Sequence, residues 1–347
     1  MRLFAHLAAA FSAALLLVSP SVEAKPRSAA AAVRALEAGA VASPDQYGAL
    51  AAEEVLRAGG NAVDAAVATG FALAVTYPEA GNLGGGGFMT VYMDGKPYFL
   101  DYRETAPEGA KADMYLGPDG EPVEGLSLYG GLAAGVPGTV RGLAMAHQRF
   151  GKLTWAQVLA PAIRYAREGF VVDAHLAGVL ADEPPPEFSK TNFRTYFPAQ
   201  KAGAVFKQPE LAATLERIAL VGDRAFYEGK TADLIVAQMA RGPVKGLITK
   251  ADLLAYKAVW RAPLVAPWRG YQVITAPPPS SGGIALMQLL QMKQALAPRF
   301  DGVALNDPQY VHLLAEIEKR VYADRAEYLG DPDFVKVPVS NLIDPAY

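Results

Sequence analysis

The distribution of apolar and polar positions predicts a chain built from many helices and a few short strands. The segment NAVDAAVATGFALAVTY (61–77) predicts a buried helix with Asn61 as its N-cap and Asp64 in its first turn. Pro78 would end this helix, because proline cannot continue one. Further helices are predicted over 48–58, the run after Pro137-Gly138 up to residue 150, 154–168, 208–220, 229–240, 250–256, the stretch IALMQLLQMKQAL and 308–328, with a strand over 271–276 and a surface loop over 182–198.

A β-hairpin is predicted soon after the first of these helices. Two apolar and aromatic runs, FMTVYM (88–93) and KPYFLDYR (96–103), flank Asp94-Gly95. Asp-Gly between such runs is a strong signal for a two-residue turn. Counting back from the turn places Gly86 opposite Arg103, provided that no bulge shifts the register.

Four consecutive glycines, Gly84 to Gly87, precede the hairpin. A phosphate-binding loop is not expected, because such loops follow a strand and open a helix, and here the order is reversed. Glycine lets another group approach the backbone closely, and the arginine fork suits a carboxylate. We therefore expect a pocket for a small carboxylate-bearing ligand. Arg103 would bind the ligand, and the pocket would be lined by Gly85, Gly86, Tyr102 and Glu104. The alternative is a glycine bulge beside an arginine that forms a salt bridge with Glu104 or a more distant acid.

Composition adds mainly exclusions. The 347 residues carry a formal net charge of −3, are 52% hydrophobic and include no cysteine. The length allows a sizeable core, and no repeat or long polar linker forces a division, so we predict one α+β domain. The lack of cysteine excludes disulfides, thiolate zinc sites and cysteine nucleophiles. The sequence contains no Lys/Arg-rich run, so it does not indicate a nucleic-acid partner.

The N-terminus predicts export. Residues 1–24 contain Arg2, an apolar stretch from Leu7 to Val18 and a small-residue end at Ala24, which is the layout of a secretory signal peptide. The apolar stretch is too short for a spanning helix, which needs roughly 20 residues. We expect a periplasmic or secreted protein that starts near Lys25, with no stable membrane span.

The remaining chemistry-bearing residues predict no complete catalytic centre. His147 is expected at the end of a helix face and His175 in a loop, and His312 shares a helix face with Glu316 without an HExxH motif, so no metal site is predicted. In PPPSSGG (277–283), Ser280 or Ser281 is expected to be an N-cap, although the amides there could bind an anion. Asp324, Arg325 and Glu327 are expected to form an internal ion-pair network.

Eight short motifs together resemble the large subunit of the γ-glutamyltranspeptidase family. The resemblance runs from about residue 38 to the end of the chain, and the order of the motifs makes it specific. The motifs are GGNAVDAAVA (59–68), GGGGF (84–88), RETAP (103–107), VPG (136–138), PAIRYAREGF (161–170), FYEGK (226–230), PPPSSGG (277–283) and LGDPDFVKVP (329–338).

The resemblance implies an N-terminal-nucleophile hydrolase with a four-layer αββα sandwich, of which residues 25–347 would be the large-subunit part. Such a precursor cuts itself once, and the new N-terminal threonine of the small subunit attacks the γ-glutamyl amide of glutathione and similar compounds. The acyl group passes to water, an amino acid or a peptide, with no cofactor. The arginine of the family's R-E-x-A-P motif binds the α-carboxylate of the γ-glutamyl group, and this position is Arg103.

The sequence departs from the family pattern in one respect. It has no Thr-Thr or Thr-His junction, so no catalytic residue is identified in it. The nucleophilic threonine is expected downstream of Tyr347, in the small subunit that would complete a heterodimer. We therefore expect this chain alone to be inactive. Two alternatives stay open: the large subunit of a related acylase of the cephalosporin acylase type, or an exported binding protein that has lost catalysis.

Overall fold

The computed structural model describes residues 39–182, 192–242 and 244–347. The predicted signal peptide and part of the predicted loop over 182–198 lie outside these residues. In the described part, helices predominate, with one short 3-10 helix at Gly131–Ala133. The α-helices are α1 (Gln46–Arg57), α2 (Ala62–Thr76), α3 (Thr139–Phe150), α4 (Trp155–Glu168), α5 (Ala174–Ala181), α6 (Phe193–Tyr196), α7 (Pro209–Val221), α8 (Arg224–Tyr227), α9 (Gly229–Met239), α10 (Lys250–Ala255), α11 (Gly282–Ala295), α12 (Ala297–Phe300), α13 (Pro308–Tyr328) and α14 (Val339–Leu342).

The strands are short and pair antiparallel in three small sheets. One sheet has the order β1-β2-β5, a second pairs β3 with β4, and a third pairs β6 with β7. Helices and antiparallel strands are therefore mixed in one chain, as the α+β prediction requires. The strands are β1 (Phe88–Met93), β2 (Lys96–Asp101), β3 (Phe170–Val171), β4 (Val205–Phe206), β5 (Val259–Arg261), β6 (Leu264–Trp268) and β7 (Tyr271–Thr275).

Helix α2 is the central buried helix that the sequence predicted. Its start has a capping box: the Asn61 side chain accepts from the amides of Val63 and Asp64, and the Asp64 carboxylate accepts from the Asn61 amide. The buried Asp64 also accepts from the Lys152 amide at 2.9 Å, which joins the start of α2 to the loop after α3. Helices α1, α3 and α4 pack around α2 and enclose most of the core.

The hairpin has the predicted register. Phe88 lies opposite Asp101, and the turn residues Asp94 and Gly95 both have positive φ, at 51° and 74°, as a type I′ turn requires. The pairing continues one residue further, because Gly87 and Tyr102 exchange both backbone hydrogen bonds. Residues 87–102 therefore pair without a bulge, and the glycine-bulge alternative is not observed within them.

The C-terminal part packs around α11, which contacts β6, α13 and α14. Gln288 is buried there, and its amide donates to Asp324 at 2.7 Å and to the Leu342 carbonyl at 3.0 Å. The predicted ion-pair network of Asp324, Arg325 and Glu327 is wrong. Within the described residues none of the three forms an ion pair, and Arg325 donates instead to the Ser281 hydroxyl at 3.1 Å.

Two further local predictions are corrected. His175 lies in the first turn of α5 and not in a loop, because Asp173 caps that helix by accepting from the Leu176 amide. The predicted loop over 182–198 contains the short helix α6 in its described part. Across residues 39–182, 192–242 and 244–347, no helix is both long and apolar enough to cross a membrane.

Candidate functional site

A cleft of about 350 Å³ opens beside the end of β2. Three segments supply most of its wall: the chain leaving β2, the chain entering β5, and the loop after α13. The lining residues are Asp101, Arg103, Glu104, Thr105, Tyr256, Lys257, Val259, Arg261, Pro279, Gly330, Asp331 and Asp333.

Arg103 lines this cleft with an exposed side chain. Among the residues that the structure describes, no hydrogen bond or ion pair involves its guanidinium group, so the alternative of a salt bridge with Glu104 or a distant acid is not observed. Its main chain, in contrast, is held on both sides. The Arg103 amide donates to Asp101 Oδ1 at 3.1 Å, and its carbonyl accepts from Tyr256 Oη at 2.8 Å. The backbone is thus fixed while the five guanidinium donors are available to a ligand.

The glycines lie behind the arginine segment and not in the lining of the cleft. A Cβ atom on Gly86 would stand 2.5 Å from the Tyr102 carbonyl oxygen and 2.7 Å from the Glu104 amide nitrogen. The Gly85 carbonyl accepts from the amides of Gly138 and Thr139 at 2.7 and 3.0 Å. The close approach that only glycine permits is therefore made by the chain's own backbone.

Tyr102 also points away from the cleft lining. Its ring lies over Gly142 of α3 and against Gly87, and burial raises the pKa of its hydroxyl to about 12. Gly138, in the VPG motif, lies against the Tyr102 carbonyl and the Tyr256 hydroxyl, where a Cβ would clash with both. Of the predicted pocket residues, the structure places Arg103 and Glu104 in the lining of the cleft and Gly85, Gly86 and Tyr102 behind it.

A network of Asp101, Arg261 and Asp333 forms part of the wall, and the sequence did not reveal it. Arg261 donates through Nε to Asp101 at 2.8 Å and through both terminal nitrogens to Asp333 at 3.0 and 2.7 Å. The hydrogen bonds to Asp333 and Asp101 raise the pKa of Arg261, and the same guanidinium lowers the pKa of Asp333. Asp101 is 7% exposed, so the network fixes a buried carboxylate that also holds the Arg103 amide.

The other candidates have structural partners. His147 lies in the last turn of α3, as predicted, 2.9 Å from the Leu153 carbonyl. Glu316, on the helix face of His312, is bound by Lys319 and Arg320. Ser281 holds the N-cap position of α11, but its hydroxyl does not cap the helix. No group of side chains able to hold a metal ion occurs in the described part of the chain.

Comparison with known proteins decides the family. The sequence model of the family described as gamma-glutamyltranspeptidase matches residues 48–347. The chain belongs to the γ-glutamyltranspeptidase family. Among curated proteins, the glutathione hydrolase proenzyme of Pseudomonas aeruginosa is 61% identical over 92% of this chain and 57% of its own length. That of Escherichia coli is 45% identical over 89% of this chain and 54% of its own.

Solved structures place this γ-glutamyltranspeptidase family member in the expected fold. The γ-glutamyltranspeptidase from Pseudomonas nitroreducens complexed with L-DON is 61% identical, with a TM-score of 0.87 over 90% of this chain and 92% of that one. A cephalosporin acylase from Bacillus halodurans is more distant, at 29% identity and a TM-score of 0.72 over 86% and 56%. The predicted α+β fold of the N-terminal-nucleophile hydrolases is confirmed. This chain spans about half the length of the curated relatives it matches.

Proposed function

We propose that this protein is the large-subunit part of a γ-glutamyltransferase and glutathione hydrolase, and that Arg103 binds the α-carboxylate of the γ-glutamyl group. One observation carries the assignment: the Arg103 guanidinium lines a cleft without a protein partner among the described residues, on a backbone held by Asp101 and Tyr256. A fixed arginine fork recognises a planar carboxylate through two parallel hydrogen bonds.

The proposed reaction divides the work between this chain and the rest of the precursor. A threonine hydroxyl downstream of Tyr347 attacks the γ-glutamyl amide carbonyl, the amine leaves with a proton, and an acyl-enzyme ester forms. Water or an amine then attacks the ester, which releases glutamate or a new γ-glutamyl amide. Arg103 contributes by anchoring the carboxylate, which limits the positions that the γ-carbonyl can adopt relative to the nucleophile.

The remaining proposals concern partners and location. We propose a heterodimer with the small subunit of the same precursor, supported by the proenzyme names of the relatives. Large exposed apolar side chains near the C-terminus, such as Val311, Tyr322 and Phe334, support a protein partner there. We also propose export to the periplasm or the medium after cleavage near Ala24, on the basis of the N-terminal pattern in the sequence.

The test is the kinetics of Arg103→Ala in the protein expressed from its natural gene. KM for a γ-glutamyl anilide should rise at least about tenfold, because a charge-assisted contact contributes roughly 1.5–3 kcal/mol. Arg241→Ala, which removes an exposed arginine after α9, is the matched control and should leave KM unchanged. A wild-type KM in Arg103→Ala removes Arg103 from the site. Turnover of a cephalosporin acyl amide without turnover of the anilide would favour the acylase alternative.

A further inference from the structure

The Arg103 carbonyl is held by a tyrosine from a distant part of the chain. Tyr256 directly follows α10, and its hydroxyl donates to the Arg103 carbonyl at 2.8 Å. Tyr256 is 5% exposed, and burial raises the pKa of its hydroxyl above the usual value. The hydroxyl therefore stays protonated and able to donate throughout the neutral and mildly alkaline pH range.

Tyr256 is itself fixed by a second tyrosine, Tyr227 of α8. The two rings are parallel to within 3°, with their centroids 5.9 Å apart, which is an offset-stacked arrangement. The Tyr227 hydroxyl donates to the Pro137 carbonyl at 3.0 Å and accepts from the Arg141 amide at 3.1 Å. The stacked pair thus joins α8 and the start of α3 to the segment that carries Arg103.

The side chain of Arg141 also holds Tyr227. Its guanidinium group lies 4.4 Å from the centroid of the Tyr227 ring and forms an ion pair with Asp223. A cation held over an aromatic ring attracts it, which favours one position of that ring. Neither Tyr227, Arg141 nor Asp223 lines the cleft, so these contacts fix the tyrosine from outside the ligand site.

The backbone is what aims the Arg103 guanidinium group. The side chain is exposed, and its guanidinium has no hydrogen bond or ion pair within residues 39–182, 192–242 and 244–347. Asp101 holds the Arg103 amide and Tyr256 holds its carbonyl, so both sides of the Cα atom are fixed. A long side chain that leaves a fixed backbone loses less conformational entropy on binding than one that leaves a mobile backbone.

We propose that Tyr256 is a positioning residue for recognition of the donor's α-carboxylate, and that Tyr227 supports it in this role. The Tyr256 hydroxyl fixes the Arg103 carbonyl, and the stacked Tyr227 ring fixes Tyr256. The inference rests on the proposed function, which assigns the α-carboxylate to Arg103. It adds that part of the affinity for the donor depends on Tyr227, a residue outside the lining of the cleft.

The test is a double-mutant cycle of Tyr256→Phe and Arg103→Ala in the protein expressed from its natural gene, with a γ-glutamyl anilide as the donor. Tyr256→Phe keeps the ring and removes the hydroxyl, so KM should rise about threefold to tenfold while kcat changes less than about twofold. In the Arg103→Ala background, the same change should raise KM less than about twofold further, because the group that Tyr256 positions is gone. Tyr47→Phe is the matched control, since it removes a hydroxyl that bonds to the Val171 backbone outside the cleft lining, and it should leave KM unchanged.

The role of Tyr227 is tested by rescue with a conservative variant. Tyr227→Leu removes the stacked ring and should raise KM for the anilide about as much as Tyr256→Phe does. Tyr227→Phe keeps the ring and should hold KM within about twofold of the wild-type value. Equal KM values in the two Tyr227 variants would overturn the role of the ring.

The outcomes of the cycle separate the two proposals. Independent, multiplying rises of KM in Tyr256→Phe and Arg103→Ala would show that Tyr256 does not act through Arg103, and would overturn the inference. An unchanged KM in Tyr256→Phe would also overturn it. Failure of the proposed function is seen separately, as a wild-type KM in Arg103→Ala.

Discussion

Gly86→Ala should displace the segment that carries Arg103. The added Cβ would stand 2.5 Å from the Tyr102 carbonyl oxygen, where ordinary contact begins at 3.4 Å, so the two backbones must separate by about 0.9 Å. The atoms that the new Cβ would meet, the Tyr102 carbonyl oxygen and the Glu104 amide nitrogen, belong to the backbone, so they cannot move aside as a flexible side chain would. Overpacking of this kind costs about 1–3 kcal/mol of folding free energy. A shift near 1 Å in a substrate-positioning group lowers the rate by up to about a hundredfold.

Gly84→Ala is the matched control, since it removes a glycine from the same run. A Cβ on Gly84 would meet nothing within 4 Å. We expect it to be neutral, or more stable by up to about 1 kcal/mol through the lower entropy of the unfolded chain. Gly87→Ala should lie between the two, because the nearest contacts of its Cβ would be atoms of the Tyr102 side chain, from 3.0 Å.

Two assays decide the outcome. Urea unfolding of each variant gives the change in stability, and KM and kcat for a γ-glutamyl anilide give the effect on the site. If Gly86→Ala matches Gly84→Ala in both assays, close backbone approach is not the reason for glycine at position 86, and the arginine segment is not positioned as described.

Two further predictions follow from charged contacts. Arg261→Lys should lower the free energy of unfolding by about 1.5–3 kcal/mol and raise KM for the anilide. Lysine cannot replace the guanidinium group that joins Asp101 and Asp333. If urea unfolding and KM both give wild-type values for this variant, the network is dispensable. The hydrogen bond to Glu79 raises the pKa of His175, so this pair stabilises the fold fully below about pH 6.5 and less as pH rises through the raised value. In thermal unfolding, the wild-type protein should lose a little stability between about pH 6 and pH 9, and His175→Gln should not show this loss. If the two proteins show the same dependence of stability on pH, the His175–Glu79 pair does not contribute as described.

The sequence predicts elements well where local signals are complete. Helix α2 has its cap residues within its own first turn, and the hairpin has its turn residues between two strand-like runs, so both the elements and the register of β1 and β2 are confirmed. Helix α5 carried a comparable signal in Asp173, which the His175 prediction did not use.

The walls of the cleft could not be predicted in the same way. Tyr256 contacts Arg103 across 153 residues, and Arg261 contacts Asp101 across 160. Strand β5, which brings these residues to the cleft, has only three residues and so has no readable alternation. The glycines did signal a close approach, but a sequence cannot show whether a ligand or the chain's own backbone makes it.

The Asp101–Arg261–Asp333 network has a consequence for the order in which the site is acquired. Its members are separated by 160 and 72 residues, so the entropy of closing two long loops must be overcome before the wall exists. At about 5–20 residues per second, a ribosome needs roughly 8 to 32 seconds to pass from Asp101 to Arg261. During that interval the nascent chain already contains Arg103 but cannot hold it at a formed cleft. The carboxylate recognition that we propose for Arg103 would then be completed late in folding, after both Arg261 and Asp333 have joined the wall.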